Sequence, residues 1–212
     1  MKIYSDLTDR LQSNPCLLEF EQNGFRIFLQ RGYLDLNTCN SLSEQIRLSS
    51  ARSTINAGEG HAISEFRTST TCYFGKGDID IGSIECNLAD LTGISIEHGE
   101  PLQGQHYAEG QYFRPHYDFI PEGGGNWEEE VSHGGQRLVT AMVYLNEDFE
   151  GGATTFPELG IRIVPERGTL ILWSNIRADG EPQQLSRHSG EPVVRGRKTV
   201  LTKWIRENHW RP

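Results

Sequence analysis

In the stretch YFRPHYDFIP, His116 and Asp118 are residue types that hold metals, and one residue separates them. On an extended strand, residues i and i+2 project from the same face, so both side chains can converge on one ion while Tyr117 points away. An imidazole and a carboxylate joined by a second imidazole make the facial triad that holds non-haem iron and leaves positions open for other ligands. The candidate third ligand is His188 in LSRHSG, with His106 and His133 as competitors that spacing does not exclude. A His-x-Asp pair alone is more often a hydrogen-bonded surface pair than a metal site. The second feature is Lys198. In RGRKTVLTKWIR, strand alternation puts Lys198, Val200, Thr202 and Trp204 on one face and Thr199, Leu201, Lys203 and Ile205 on the other. A lysine sharing a face with valine and tryptophan either snorkels to water or places its ammonium in a pocket. A buried ammonium needs a partner. Beside a metal with open positions, it suggests a dianion that chelates the metal at one end and pairs with Lys198 at the other.

The elements that must position these groups follow from pattern. SDLTDRLQ reads as a short helix capped by Ser5 and ended before Pro15. CLLEFEQ and FRIFLQRGYL, split by Asn23-Gly24, read as a hairpin with a tight turn. LNTCNSLSEQIRLSS reads as a helix with Asn37 as cap and Cys39, Leu42 and Ile46 on its inner stripe. ARSTINAGEGHAISEF is polar and glycine-bearing and is expected to be a loop, followed by a strand at RTSTTCYF. DIDIGSIECNLADLTG has helical spacing at Ile81, Ile84, Leu88 and Leu91 and a C-cap at Gly93. After Ser95 a train of short strands begins: PLQGQHYA, YFRPHYDF, RLVTAMVYLN, ATTFP, IRIVP, GTLILWS, LSRHSG and RKTVLTKWIRE. Such a train, punctuated by glycine and proline, predicts an antiparallel sandwich or barrel. We expect one α+β, mainly β domain over 1–212, with residues 1–94 as a helical and β support region and 95–212 as the catalytic core, the N-terminal helices packed on one sheet. The segment PEGGGNWEEEVSHGGQ between two strands is expected to be a disordered surface loop or a lid, with Trp127 covering the site and Glu128–Glu130 solvated or facing a basic substrate.

The chain has 212 residues and a formal net charge of −9, which argues against binding to nucleic acid or an acidic membrane. Its four cysteines, Cys16, Cys39, Cys72 and Cys86, form no CxxC pair and read as free thiols. The N-terminus lacks the apolar stretch of a signal peptide and no apolar run is long enough to span a membrane, so a cytoplasmic protein is expected.

Taken together, RTSTTCYF, YAEGQYFRPHYD, GGQRLVTAMVYLN, GGATTFP and SRHSGEPVVRGRKTVLTKWIR, in this order, resemble the prolyl 4-hydroxylase family of iron(II)- and 2-oxoglutarate-dependent oxygenases from about Arg67 to Trp204. The resemblance implies a double-stranded β-helix, or jelly roll. It implies that His116, Asp118 and His188 bind iron(II), and that Lys198, Tyr107 and Thr154 hold the distal carboxylate of 2-oxoglutarate, with Trp204 as a pocket wall. It places Arg67 and Arg137 near the substrate peptide. It further implies that a prolyl residue is hydroxylated with dioxygen, releasing succinate and carbon dioxide, with ascorbate as reductant. Two positions depart from the family pattern, both on the substrate wall: Phe113 stands where many relatives have tyrosine, and Tyr73 where some have tryptophan. A hydroxylase of a free amino acid or small natural-product intermediate is therefore a second expectation. A non-catalytic jelly-roll binding domain is a third. A zinc hydrolase would leave Lys198 without a role.

Overall fold

The computed structural model describes residues 2–56, 61–63, 65–75, 79–124 and 127–211. The chain opens with α1 (Lys2–Gln12), β1 (Leu18–Gln22), β2 (Phe25–Gln30) and α2 (Leu36–Ser49). Asn23 and Gly24 both take positive φ, 54° and 79°, and let β1 fold directly onto β2 with Gln22 opposite Phe25. The helix α1 begins at Lys2, so Ser5 lies within it and is not its cap. In α2, Cys39, Leu42 and Ile46 are buried as their spacing predicts, but the cap is Asp35, whose carboxylate accepts from Thr38 N at 2.8 Å. Asn37 is already inside that helix; a charged acceptor facing the free N–H groups and the positive end of the dipole starts it two residues earlier.

The stretch after α2 expected to be a loop instead carries strands. It holds β3 (Ala51–Arg52), β4 (Thr54–Asn56) and β5 (His61–Ile63), with β4 and β5 paired from Thr54↔Ile63 to Asn56↔His61. The β-branched residues Thr54, Ile55 and Ile63 favour strands despite the polar composition between them; residues 57–60 and 64 lie outside the described ones. Next come β6 (Thr70–Tyr73) and α3 (Ile79–Thr92). Gly93, at φ 72°, ends α3 as expected, its N–H reaching Ala89 O at 2.7 Å.

The β-rich half comprises β7 (Gln103–Tyr107), β8 (Phe113–His116), the short helix α4 (Trp127–Ser132), β9 (Arg137–Tyr144), β10 (Glu150–Gly151), β11 (Thr154–Phe156) and β12 (Ile161–Ile163). It closes with β13 (Leu170–Ser174), β14 (His188–Gly190), β15 (Val193–Arg195) and β16 (Lys198–Arg206). An eight-stranded sheet runs β1-β2-β13-β9-β16-β7-β6-β3, and a four-stranded sheet runs β12-β11-β14-β8. All pairings are antiparallel, giving the expected jelly roll.

The central strands of the large sheet are buried on both faces. One face packs Leu138, Val143, Leu172 and Leu201 against Leu7 of α1, Leu42 and Ile46 of α2, and Ile81 and Leu88 of α3. The opposite face gathers Ile27, Met142, Tyr144, Trp173 and Val200 with Phe156 of the small sheet. Gly104 of β7 sits where α2 presses closest, since a Cβ there would fall 2.2 Å from Ile46 Cγ1. The strand β16 lies between β9 and β7, and all nine of its residues are buried.

Candidate active site

The small sheet brings two histidines together. His116 ends β8, His188 opens β14, and the two are register partners with ring centroids 4.2 Å apart. Asp118 is not on the strand: β8 stops at His116, and the carboxylate reaches back from the bend that follows. Its Oδ1 lies 3.7 Å from His116 Nε2 and its Oδ2 lies 3.6 Å from His188 Nε2. The other two histidines are elsewhere. His106 Nδ1 lies 3.3 Å from Thr199 Oγ1, on the face of β16 turned from the cavity, and His133 Nδ1 lies 2.6 Å from Arg211 O.

Backbone carbonyls fix the state of both imidazoles. His116 Nδ1 lies 2.8 Å from Arg114 O and His188 Nδ1 lies 2.9 Å from Ser186 O. A carbonyl only accepts, so each Nδ1 carries a hydrogen, and in the neutral ring Nε2 then presents its lone pair toward Asp118. Burial, reinforced by His188, pulls His116 down to about 3, so it is neutral near pH 7. Burial works against charge on Asp118, but His188, His116, the Arg137 guanidinium and the Thr140 hydroxyl together hold its carboxyl at about 2. Thr140 Oγ1 donates to Asp118 Oδ2 at 2.7 Å and itself accepts from Asn175 Nδ2 at 2.9 Å, so its proton is committed to the carboxylate. Phe113 stacks on His116 at 3.6 Å, and Trp173 packs edge-on to His188 at 4.8 Å. Three acceptor atoms thus face one another at separations too long for hydrogen bonds, with no proton between them. They all lie within 4.8 Å of one another, and this is the one such cluster among the described residues. A divalent cation satisfies all three at once, and two imidazoles with one carboxylate is the donor set suited to iron(II).

The cavity they face is walled by Lys198, Val200, Thr202 and Trp204, the face that alternation along β16 predicts, and by Tyr107, Thr140, Met142 and Thr154. Lys198 stands opposite Tyr107 in register and is only 3% exposed. No carboxylate among the described residues lies within 4.0 Å of its Nζ, which instead sits 5.4 and 5.5 Å from the Tyr107 and Tyr144 ring centroids. Burial lowers this ammonium to about 7, against a smaller opposing pull from Glu191. Trp204 also lines the cavity, and its indole N–H is buried without a partner among the described residues. A cavity with a fixed anion near one set of lone pairs and an unpaired cation elsewhere accepts a metal-chelating diacid.

On the substrate side, Arg67 lines the same cavity, donating from Nε to Ser69 Oγ at 3.1 Å and from a terminal nitrogen to Thr71 Oγ1 at 3.2 Å, with its guanidinium 5.0 Å from the Phe113 centroid. Arg137, expected near the substrate, does not line the cavity. It donates to both carboxylate oxygens of Glu100, at 2.5 and 2.8 Å, and stacks 4.1 Å over Trp204. Tyr73, the last residue of β6, is 59% exposed and does not line the cavity, so the wall expected there is missing.

The 122–136 segment carries α4, where the sequence suggested a loop. Trp127 is not part of the cavity wall, and Glu130 is not simply solvated: it pairs with the wholly buried Arg206 at 3.1 Å. Arg206 also donates from Nε to Glu100 at 2.6 Å, joining α4, Glu100 and Arg137 in one buried network. Sequence reasoning missed Thr140, Asn175, Tyr144, Glu100 and Arg206. The alternation of RLVTAMVYLN could have placed Thr140 and Tyr144 on the face of Met142; nothing local marks the others.

Comparisons with known proteins agree with this geometry. A family model described as the 2OG-Fe(II) oxygenase superfamily matches residues 102–206. The chain is 32% identical over 202 residues to probable prolyl 4-hydroxylase 3 of Arabidopsis thaliana, covering 85% of this chain and 69% of that protein. It is 34% identical over 144 residues to prolyl 4-hydroxylase subunit alpha-1 of Rattus norvegicus, covering 68% of this chain but only 27% of that subunit. The crystal structure of a viral collagen prolyl hydroxylase from Paramecium Bursaria Chlorella virus-1, in complex with 2OG, is similar with a TM-score of 0.65 at 25% identity, covering 85% of this chain and 95% of that one. The chain belongs to the prolyl 4-hydroxylase family of the 2OG-Fe(II) oxygenases.

Proposed function

We propose that this chain is an iron(II)- and 2-oxoglutarate-dependent dioxygenase that hydroxylates prolyl residues in a peptide or protein. His116, Asp118 and His188 are the iron ligands in this reading. Lys198, Tyr107 and Thr154 receive the distal carboxylate of 2-oxoglutarate beside Trp204, Arg67 and Phe113 form the substrate side, and Arg137, paired with Glu100, braces Trp204 from behind. The observation that carries it is the pairing, in one cavity, of a His-Asp-His cluster with a buried lysine that has no carboxylate within 4.0 Å among the described residues.

Bound iron(II), 2-oxoglutarate and dioxygen together supply the insertion of one oxygen atom into a C–H bond, with succinate and carbon dioxide released. The residues of this chain bind, orient and exclude water. The Nδ1–H contacts to Arg114 O and Ser186 O hold both imidazoles aimed at Asp118. Thr140 donates to the Asp118 carboxylate and keeps it turned to the histidines. The Lys198 ammonium favours a dianion over a monoanion, because its charge is otherwise uncompensated. Phe113, Phe156 and Trp173 enclose the histidines and keep water from their flanks.

One observation favours a second reading, a small carboxylate-bearing substrate such as a free amino acid: Arg67 is buried with hydroxyl partners but no carboxylate within 4.0 Å among the described residues. We further propose that residues 1–94 support and 95–212 form the catalytic core of one domain, since β1, β2, β3 and β6 extend the sheet that holds β16. Ascorbate is the proposed reductant, and the four free cysteines suit a reducing compartment such as the cytoplasm.

The test is incubation with iron(II), ascorbate and labelled 2-oxoglutarate, with proline-rich peptides or free proline. Succinate release and an added oxygen on the peptide support the first reading, and oxygen on the free acid alone supports the second. Failure to form succinate with any acceptor refutes both.

A further inference from the structure

Tyr144 ends β9 and is wholly buried, behind the cavity that Thr154 and Lys198 line. The register explains its position. In the strands flanking β16, Tyr107 stands opposite Lys198 and Tyr144 stands opposite Val200, so the ammonium rests between two tyrosine rings from opposite sides. At 5.4 and 5.5 Å, both faces are within the range where a ring quadrupole steadies a cation. The hydroxyl of Tyr144 has a separate task. It donates to Thr154 Oγ1 at 2.7 Å, with Ile163 O a distant alternative at 3.4 Å.

A threonine hydroxyl has one hydrogen and two lone pairs. With a lone pair of Thr154 filled by the Tyr144 proton, the hydrogen of Thr154 is left to donate, and its side chain borders the cavity beside Lys198. We propose that Tyr144 is a positioning residue for the co-substrate: its hydroxyl makes Thr154 an obligate donor to the carboxylate that Lys198 binds. Without that contact the Thr154 hydroxyl is free to turn its hydrogen onto a neighbouring carbonyl, and the carboxylate loses an oriented, charge-assisted hydrogen bond. Burial raises the Tyr144 phenol above its ordinary value, which keeps the proton on its oxygen at all working pH values. The inference rests on the cavity being the 2-oxoglutarate site.

The test is a double-mutant cycle of Tyr144→Phe, Thr154→Val and the double variant. The readout is calorimetric binding of 2-oxoglutarate to the oxygen-free, Mn(II)-loaded protein. Tyr144→Phe keeps the ring and its volume, so Mn(II) affinity and the unfolding midpoint stay near wild type while 2-oxoglutarate binds about tenfold more weakly. Thr154→Val weakens binding at least as much, and the double variant is no weaker than Thr154→Val alone, because Tyr144 acts through Thr154. In turnover, the KM for 2-oxoglutarate rises and kcat at saturation holds. Wild-type affinity in Tyr144→Phe, or losses that add in the double variant, overturn the inference while leaving the site reading intact. Wild-type protein that takes up Mn(II) but not 2-oxoglutarate overturns the site reading and this inference with it.

Discussion

Glu100→Gln is the sharpest test of how the site is braced. Glu100 is 4% exposed and accepts three hydrogen bonds: from Arg137 at 2.5 and 2.8 Å, and from Arg206 at 2.6 Å. Two positive charges, Arg137 and the buried Arg206, balance two negative ones, the buried Glu100 and the half-buried Glu130. Glutamine keeps the shape but leaves one positive charge in excess around Arg206, whose side chain has no exposure. Removing one partner of a buried ion pair costs roughly 3–5 kcal/mol, and about 2–4 °C of unfolding temperature is lost per kcal/mol in a chain of this size. We expect a fall of roughly 6–20 °C at pH 7. The sign of the pH dependence follows from the carboxyl itself. Burial alone would raise it, but Arg137 and Arg206 overcome burial and hold it below the ordinary value. Its stabilisation is therefore complete above the unfolded carboxylate value of about 4.3 and disappears as pH falls through the lower folded value. Thermal and urea unfolding of both proteins across this range give the answer. A difference under about 1 kcal/mol at pH 7, or one that does not narrow in acid, refutes the account.

Lys198→Met should raise the 2-oxoglutarate KM on the order of 100-fold or more while Mn(II) affinity holds, because a desolvated charge partner is lost; an unchanged KM removes Lys198 from the site. In the wild type, 2-oxoglutarate affinity should weaken as pH rises through about 7, where the buried ammonium loses its proton, and a flat profile from about pH 6 to 9 counts against that assignment. Thr140→Val takes the hydrogen bond from Asp118 Oδ2 and should lower Mn(II) affinity roughly 10–100-fold, read by metal titration. Gly104→Ala puts a Cβ 2.2 Å from Ile46 Cγ1 and should cost about 1–3 kcal/mol in urea unfolding without shifting either KM.

The cavity wall was more legible in the sequence than the metal cluster. Period-two alternation is a local property, and by itself it sets Lys198, Val200, Thr202 and Trp204 on one face. The third ligand is a question of strand pairing: His116 meets His188 through a register between distant segments, and spacing alone left His106 and His133 in contention. Local rules also misjudged ends. Strand β8 stops at His116, so Asp118 converges by a bend and not by alternation, and Asp35 outcompetes Asn37 as a cap. Composition misled in two places, where polar, glycine-bearing stretches hold the β4–β5 hairpin and α4. The buried network had no local trace, because Arg206 and Arg137 reach Glu100 across 106 and 37 residues of chain.

The central position of β16 has a cost in evolvability. Its two faces serve different masters: Lys198, Val200, Thr202 and Trp204 serve the cavity, while Leu201 and Ile205 anchor the helical layer and Lys203 pairs with Glu85. Inserting or deleting a single residue inside this strand would exchange the two sets wholesale, sending the ammonium toward the helices and a leucine toward the ion. Such a strand tolerates replacement of its side chains one at a time, but its length is frozen.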